Sequence, residues 1–322
     1  MGSTTNPIPL EAPHPMRILI CADGSRWALK SARFALQLFG DSAHQLTILT
    51  FKLRAREMPE AKKTITRATR KKEDNIGSER SATTIETELQ ELVDELSIDA
   101  HEIAWMREEG DMAQHVLEIA EDYDLVCLGG AGKGGFSQHL LGLIADEIVL
   151  KGKGNLLVTK TSDSLCRNIL VTLHSSSVDD QLANYLGSLF QGCSTKITLD
   201  VLWEESPGRF QGYLDAVTRQ RMKQMVVDDL FEPPQGLQDI VDILAEYDIE
   251  SSWSYRDYRS LDELIDSVEP DAYDLIVVPP PPRSTGLRQI LEPRKQSLNL
   301  MRKSSPNVML LRDIPDIGPQ SQ

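Results

Sequence analysis

Five glycines fall within the seven residues Gly129-Gly130-Ala131-Gly132-Lys133-Gly134-Gly135, directly after the short apolar run Leu125-Val126-Cys127-Leu128. Glycine takes positive φ without steric cost and lets neighbouring backbone N–H groups close on a ligand. The chemistry open to this segment is therefore the cradling of an anion, a phosphate first of all. Taken by itself, a glycine cluster is equally a flexible turn. The second candidate is Asp23-Gly24-Ser25, at the end of another apolar run. An ionised carboxylate only accepts hydrogen bonds and so suits a sugar hydroxyl; the alternative is an Asx-turn onto Ser25. His14, His44, His101, His115, His139 and His174 show no metal-ligand spacing, and no Ser, His and Asp arrangement announces a triad. Lys133 and His139 could touch a phosphate or stay solvated. Cys21, Cys127, Cys166 and Cys193 are far apart with no C-x-x-C pair, which suggests neither a zinc site nor a disulfide framework.

The elements that must position these residues can be read from periodicity. Arg17 to Ala22 is a continuous apolar run of strand length, as expected of a strand buried on both faces. After the Asp23 turn, Ala28, Ala32, Ala35, Leu36 and Phe39 recur on one face of a helix that Ser25 would cap and Gly40 would end. Leu46 to Phe51 is a second strand, so the unit is β-α-β and favours a parallel sheet. Ile85, Leu89, Leu92, Val93 and Leu96 predict another amphipathic helix, His101 to Met106 a third strand, and Met112, Val116, Ile119 and Ala120 a helix capped from Gly110-Asp111. The strand before the glycines is then the fourth. Leu141, Ile144, Ala145 and Ile148 predict a helix starting near Ser137, whose free N–H groups and positive dipole end would face the glycines. Asn155 to Thr159 is the fifth strand. Alternation of this kind is that of an open, doubly wound α/β sheet.

At 322 residues the chain is long enough for two domains. Its formal net charge of -15 argues against a general nucleic-acid binder or a protein of anionic membrane surfaces, which would carry a basic face. One local reversal exists: between Lys52 and Lys72, nine basic residues stand against only Glu57 and Glu60. This stretch reads as a solvated excursion or as a docking site for an acidic partner or nucleotide phosphates. No apolar run is long enough to span a bilayer and residues 1–15 carry no signal-peptide pattern, so a disordered leader and a cytoplasmic, soluble protein are expected.

The second half repeats the first. Displaced by 151 residues, Ile18-Leu19-Ile20 falls on Ile169-Leu170-Val171, Leu38-Phe39 on Leu189-Phe190, and Leu46-Thr47-Ile48 on Ile197-Thr198-Leu199. At 150, Tyr123-Asp124-Leu125 falls on Tyr273-Asp274-Leu275, and at 152, Asn155-Leu156-Leu157 falls on Asn307-Val308-Met309. These are two copies of one domain. They differ at the candidate site: Gly129-Gly130-Ala131-Gly132 becomes Pro279-Pro280-Pro281-Pro282, which has no N–H to give, and Asp23-Gly24 becomes His174-Ser175. Only the first copy keeps a ligand site of this design.

With the repeat, the Asp23 turn and the glycine segment in place, the chain resembles a tandem member of the universal stress protein family with a degenerate second domain. Nucleotide-binding members carry G-x2-G-x9-G-(S/T) between the fourth strand and fourth helix, and Gly129, Gly132 and Gly142 stand at that spacing. The resemblance implies two tandem α/β domains, residues 16–162 and 163–314, each an open five-stranded parallel sheet of order 3-2-1-4-5, with a tail at 315–322. It implies an adenine-nucleotide site, ATP foremost and with or without Mg. Ala22, Asp23 and Phe51 would border adenine and ribose; Leu128, Gly129, Gly130, Gly132, Gly135, Gly142 and Leu143 would line the pocket and the phosphates. Leu143 departs from the pattern, since binders have Ser or Thr there. The resemblance further implies a stress-response sensor or regulatory scaffold with an unidentified protein partner, and not a dedicated enzyme. A nucleotide-independent interaction module and a slow ATPase are the alternatives. Family dimers pair their fifth strands, so the two copies are expected to pair within one chain as a pseudo-dimer, with further homo-oligomerisation open.

Overall fold

A computed structural model describes residues 16–22, 26–40, 45–52, 82–98, 103–130, 138–160, 165–174, 180–202, 235–256, 272–280, 298, 300–301 and 304–314. The basic stretch after Lys52, residues 1–15 and the tail from 315 lie outside them.

The first half runs β1 (Arg17–Ala22), α1 (Arg26–Phe39), β2 (Gln45–Lys52), α2 (Ala82–Glu95), β3 (Ile103–Glu109), α3 (Met112–Ile119), β4 (Leu125–Gly129), α4 (Gln138–Lys151) and β5 (Leu156–Thr159). The second runs β6 (Asn168–His174), α5 (Asp180–Phe190), β7 (Lys196–Leu202), α6 (Gln235–Glu246), β8 (Glu250–Arg256), β9 (Leu275–Val278) and β10 (Asn307–Leu310). All ten strands join one sheet of order β3-β2-β1-β4-β5-β10-β9-β6-β7-β8. Each half therefore has the order 3-2-1-4-5, and every pairing is parallel except that of β5 with β10, where Val158 faces Val308 and Leu157 faces Met309.

Side chains alternate between the two faces of each strand. Ile18, Ile20 and Ala22 of β1 and Leu46 and Ile48 of β2 pack with the apolar stripes of α1 and α2, including Ala32, Phe39, Ile85 and Leu89. Leu19 and Cys21, with Leu49 and Phe51, face the other way and pack with Met112 and Val116 of α3 and Ile148 and Val149 of α4. The first of these cores is continuous across both halves. Phe39 and Phe190, equivalent residues of the repeat, are fully buried and stack with ring centroids 6.4 Å apart and 24° between planes. The repeat extends to helix ends: Ser97 (φ 51°) after α2 and Asp248 (φ 60°) after α6 both take the left-handed conformation. The N–H of Ile98 bonds Val93 O and that of Ile249 bonds Leu244 O.

The third strand ends later than the sequence suggests, at Glu109 rather than Met106; His101, where the sequence places its start, lies outside the described residues. Its charged end, Arg107-Glu108-Glu109, reads as loop in isolation. As an edge strand it keeps only one partner, and β2 pairs with it as far as Lys52 opposite Glu109. Charges are tolerated on such an edge because one side faces solvent.

Candidate functional site at the carboxyl ends of strands 1 and 4

β1 and β4 are parallel neighbours, with Ile18 opposite Leu125 and Ile20 opposite Cys127. Continuing that register brings Ala22, the last residue of β1, level with Gly129, the last of β4. The helices that follow the two strands leave on opposite faces, α1 into one core and α4 into the other. The carboxyl ends of these strands are the point where the strand order reverses, the place at which open α/β sheets form a ligand crevice. In an open α/β sheet this is where ligands bind.

Ala22 is buried in the first core, while Leu128 and Phe51, at 2% exposure each, are buried in the second core on the opposite face of the sheet. Phe51 lies one residue past Thr50, the partner of Ala22. Leu128 O accepts the hydroxyl of Thr159 at 3.3 Å. Gly129 ends β4, and the N–H of Gly130 donates to Thr159 O at 2.7 Å. Gly130 must be glycine for packing: a Cβ there would lie 2.8 Å from Val158 Cγ1 and 3.2 Å from Thr159 O. Gly142 and Leu143 are within the first two turns of α4. Asp23, Gly132 and Gly135, with Gly24, Ser25 and Lys133, lie outside the described residues.

One neighbour of the site escaped the sequence reading. His115, in the first turn of α3, places its ring edge-to-face on Phe51, centroids 5.7 Å apart and planes at 63°. Its Nε2 is buried and lies 3.9 Å from Glu108 Oε1. The helix start that fixes His115 is capped by Asp111, whose Oδ1 accepts the N–H groups of Ala113 (3.0 Å) and Gln114 (3.3 Å). The cap itself is legible in Gly110-Asp111; the approach of α3 to the end of β2 is not.

Cys21 and Cys127 are buried in β1 and β4. Burial, and then the neighbouring Cys21, push the Cys127 thiol well above the usual cysteine range. It stays protonated at neutral pH and acts as packing rather than as a nucleophile. Among the described residues no group of three or more His, Cys, Asp or Glu could hold a metal ion, and no helix is long and apolar enough to cross a membrane.

The equivalent point in the second half is built differently. β9 ends at Val278 and runs into Pro279 and Pro280, so the N–H that Gly130 supplies has no counterpart. Three positions side by side across the sheet have also changed character. In the first half they are Cys21, Leu49 and Met106; in the second they are Thr172, Asp200 and Ser254. Asp200 is fully buried and its Oδ1 accepts the Ser254 hydroxyl at 3.2 Å. The one acidic residue in the strand Lys196–Leu202 was the available signal for this change.

Residues 15–160 match the model of the universal stress protein family. No curated protein matches the chain. Among solved structures, a universal stress protein from Archaeoglobus fulgidus DSM 4304 aligns over 94% of this chain and 97% of its own, with TM-score 0.56 and 12% identity. A functionally unknown protein from Pseudomonas aeruginosa PAO1 aligns over 93% of this chain and 94% of its own, with TM-score 0.51 and 13% identity. At these identities the likeness is one of fold. A universal stress protein solved in complex with cAMP covers 46% of this chain with 98% of its own, at TM-score 0.32 and 22% identity.

Proposed function

We propose that this chain, whose residues 15–160 match the universal stress protein family model, binds an adenine nucleotide, ATP foremost, in its first half alone and serves as a stress-response sensor or regulatory scaffold. What supports the reading is the reversal of strand order between β1 and β4, near whose carboxyl ends Ala22, Leu128 and Phe51 are buried and the glycine-rich sequence begins at Gly129. Apolar groups near these ends suit a purine face, and the glycine N–H groups together with the N-terminal end of α4 suit phosphate. Asp23 would take a ribose hydroxyl, and Gly132, Gly135 and Gly142 would let the backbone close on the phosphates.

The domains under this reading are residues 16–162 and 163–314, a tandem repeat whose antiparallel β5–β10 pairing makes an intramolecular pseudo-dimer. The second domain, with prolines in place of the glycines, is a scaffold. Bound nucleotide would order the segment after β4 and change the surface offered to a protein partner in the cytoplasm. Weak hydrolysis is a second activity of the same site; no dedicated catalytic residue is assigned.

Mass spectrometry of small molecules released from the purified protein, with calorimetric titration of ATP and AMP, tests the reading. Gly132→Trp should abolish binding and Pro281→Gly should leave it unchanged. Absence of both co-purified nucleotide and binding heat would refute the proposal, and equal effects of the two substitutions would refute its asymmetry.

A further inference from the structure

Two cations cross the seam between β5 and β10 in matching ways. Lys160, which follows β5, donates its backbone N–H to Asn307 Oδ1 (2.7 Å) and its ammonium to Ser304 O (2.9 Å) and Oγ (2.7 Å). Arg312, its equivalent 152 residues on, donates its backbone N–H to Asn155 Oδ1 (2.8 Å) and its guanidinium to Val149 O and Gly152 O. Asn155, Asn307 and Ser304 are all buried, so these bonds work away from water. Gly152 is what admits the arginine: a Cβ there would lie 2.9 Å from Arg312 Nη1 and 2.6 Å from Ile148 O.

What each cation holds is specific. Arg312 caps carbonyls at the carboxyl end of α4, groups that a helix leaves without internal partners. Lys160 is held by the second half, and Thr159 next to it accepts the Gly130 N–H; a Cβ on Gly130 would lie 3.6 Å from Lys160 Cγ. The strand exit at Gly130 and the helix α4 are the two elements that flank the glycine segment. α4 is capped directly by Arg312 of the other half, while the exit at Gly130 is bonded to Thr159 O, whose neighbour Lys160 is anchored on Ser304 and Asn307 of the other half.

We propose that the second half braces the first half's ligand site, with Lys160 and Arg312 as positioning residues that set the exit of β4 and the seat of α4. This rests on the reading of the carboxyl ends of β1 and β4 as a nucleotide site. It gives the second half a role in binding although its own glycines have become prolines. Each point needs hydrogen-bond donors because carbonyl oxygens only accept, and each cation supplies more than one.

The test uses the full chain with Lys160→Met and Arg312→Met, which keep the aliphatic stems, and Lys160→Arg as the conservative variant. Hydrogen exchange without nucleotide is read at Gly130 and across α4, and ATP and AMP affinity is measured by calorimetry. The brace predicts exchange about 10-fold faster at those amides with β2 and β7 unchanged, and binding roughly 5-fold weaker, the scale of one ordinary hydrogen bond. Lys160→Arg should recover most of both. Unchanged exchange at Gly130 and α4, uniform acceleration in every strand, or unaltered affinity in both Met variants would overturn it. If the wild-type chain binds neither nucleotide, the functional reading fails, and the exchange data still decide whether the brace exists. Should a Met variant not fold, Ser304→Ala removes one partner of Lys160 and is read at Gly130 in the same way.

Discussion

Under the proposed nucleotide reading, Leu143 is the residue on which ligand choice turns. It falls in α4 at the position where the family pattern has Ser or Thr, and leucine gives no hydrogen bond to phosphate. Leu143→Ser should tighten ATP by about 10-fold and leave adenosine nearly unchanged, since a hydrogen bond to a charged group contributes roughly 1.5–3 kcal/mol before losses. Calorimetry with the two ligands separates this from a general gain in stability. Gly130 makes a packing prediction. Gly130→Ala forces a methyl against Val158 Cγ1 at 2.8 Å, and overpacking of this kind costs about 1–3 kcal/mol. The melting temperature should fall, and Val158→Ala in the same chain should restore part of the loss. A fully stable Gly130→Ala protein would mean that Val158 moves aside freely.

Among the elements, α3 shows how a local signal reaches the site. Asp111 caps its first turn, the cap sets where His115 falls, and His115 packs on Phe51 at the end of β2. Asp111→Ala should cost about 1 kcal/mol of stability in urea unfolding, the usual value of such a cap. The histidine resonances should shift with it, because the ring is held by the helix start rather than by the strand. A changed midpoint with unchanged His115 shifts would show that other contacts hold the ring. The third strand makes the converse point: its charged end joins the sheet because β2 is there to pair with it, a fact absent from its own residues.

At the scale of the molecule, the two halves are one folded body in their contacts. Phe39 stacks on Phe190, Cys193 Sγ lies 2.9 Å from Leu38 O, and Tyr185 OH meets Asn155 Nδ2 at 2.9 Å. Tyr185 belongs to the second half and is fully buried against the first. Burial raises its phenol above the ordinary tyrosine range, against a smaller lowering by the Asn155 bond. The sign follows: the folded pKa exceeds the unfolded value of about 10, so this stabilisation is whole below about pH 10 and is lost as pH rises through the folded value. Thermal unfolding from pH 8 upward should show an alkaline decline that is shallower in Tyr185→Phe. Identical pH profiles for the two proteins would remove Tyr185 from that decline.

The fold was legible because it rests on local periods and on repetition. Apolar runs such as Ile18 to Ala22 can only be buried strands, the stripe from Ala28 to Phe39 can only face a sheet, and the displacement by 151 residues shows the same plan twice. The spacing of Gly129, Gly132 and Gly142, and the replacement of the first two by prolines in the second copy, likewise need no coordinates. Tertiary structure alone decided what depends on distance: the placement of His115 on Phe51, the polar row from Thr172 to Ser254, and the crossing of Lys160 and Arg312 over the seam. Those residues are charged or polar and scattered through the chain, so neither helical nor strand periodicity marks them. Strand pairing and helix packing within each half bring His115 to Phe51 and Asp200 to Ser254, while the partners of Lys160 and Arg312 reach them only when β5 and β10 pair.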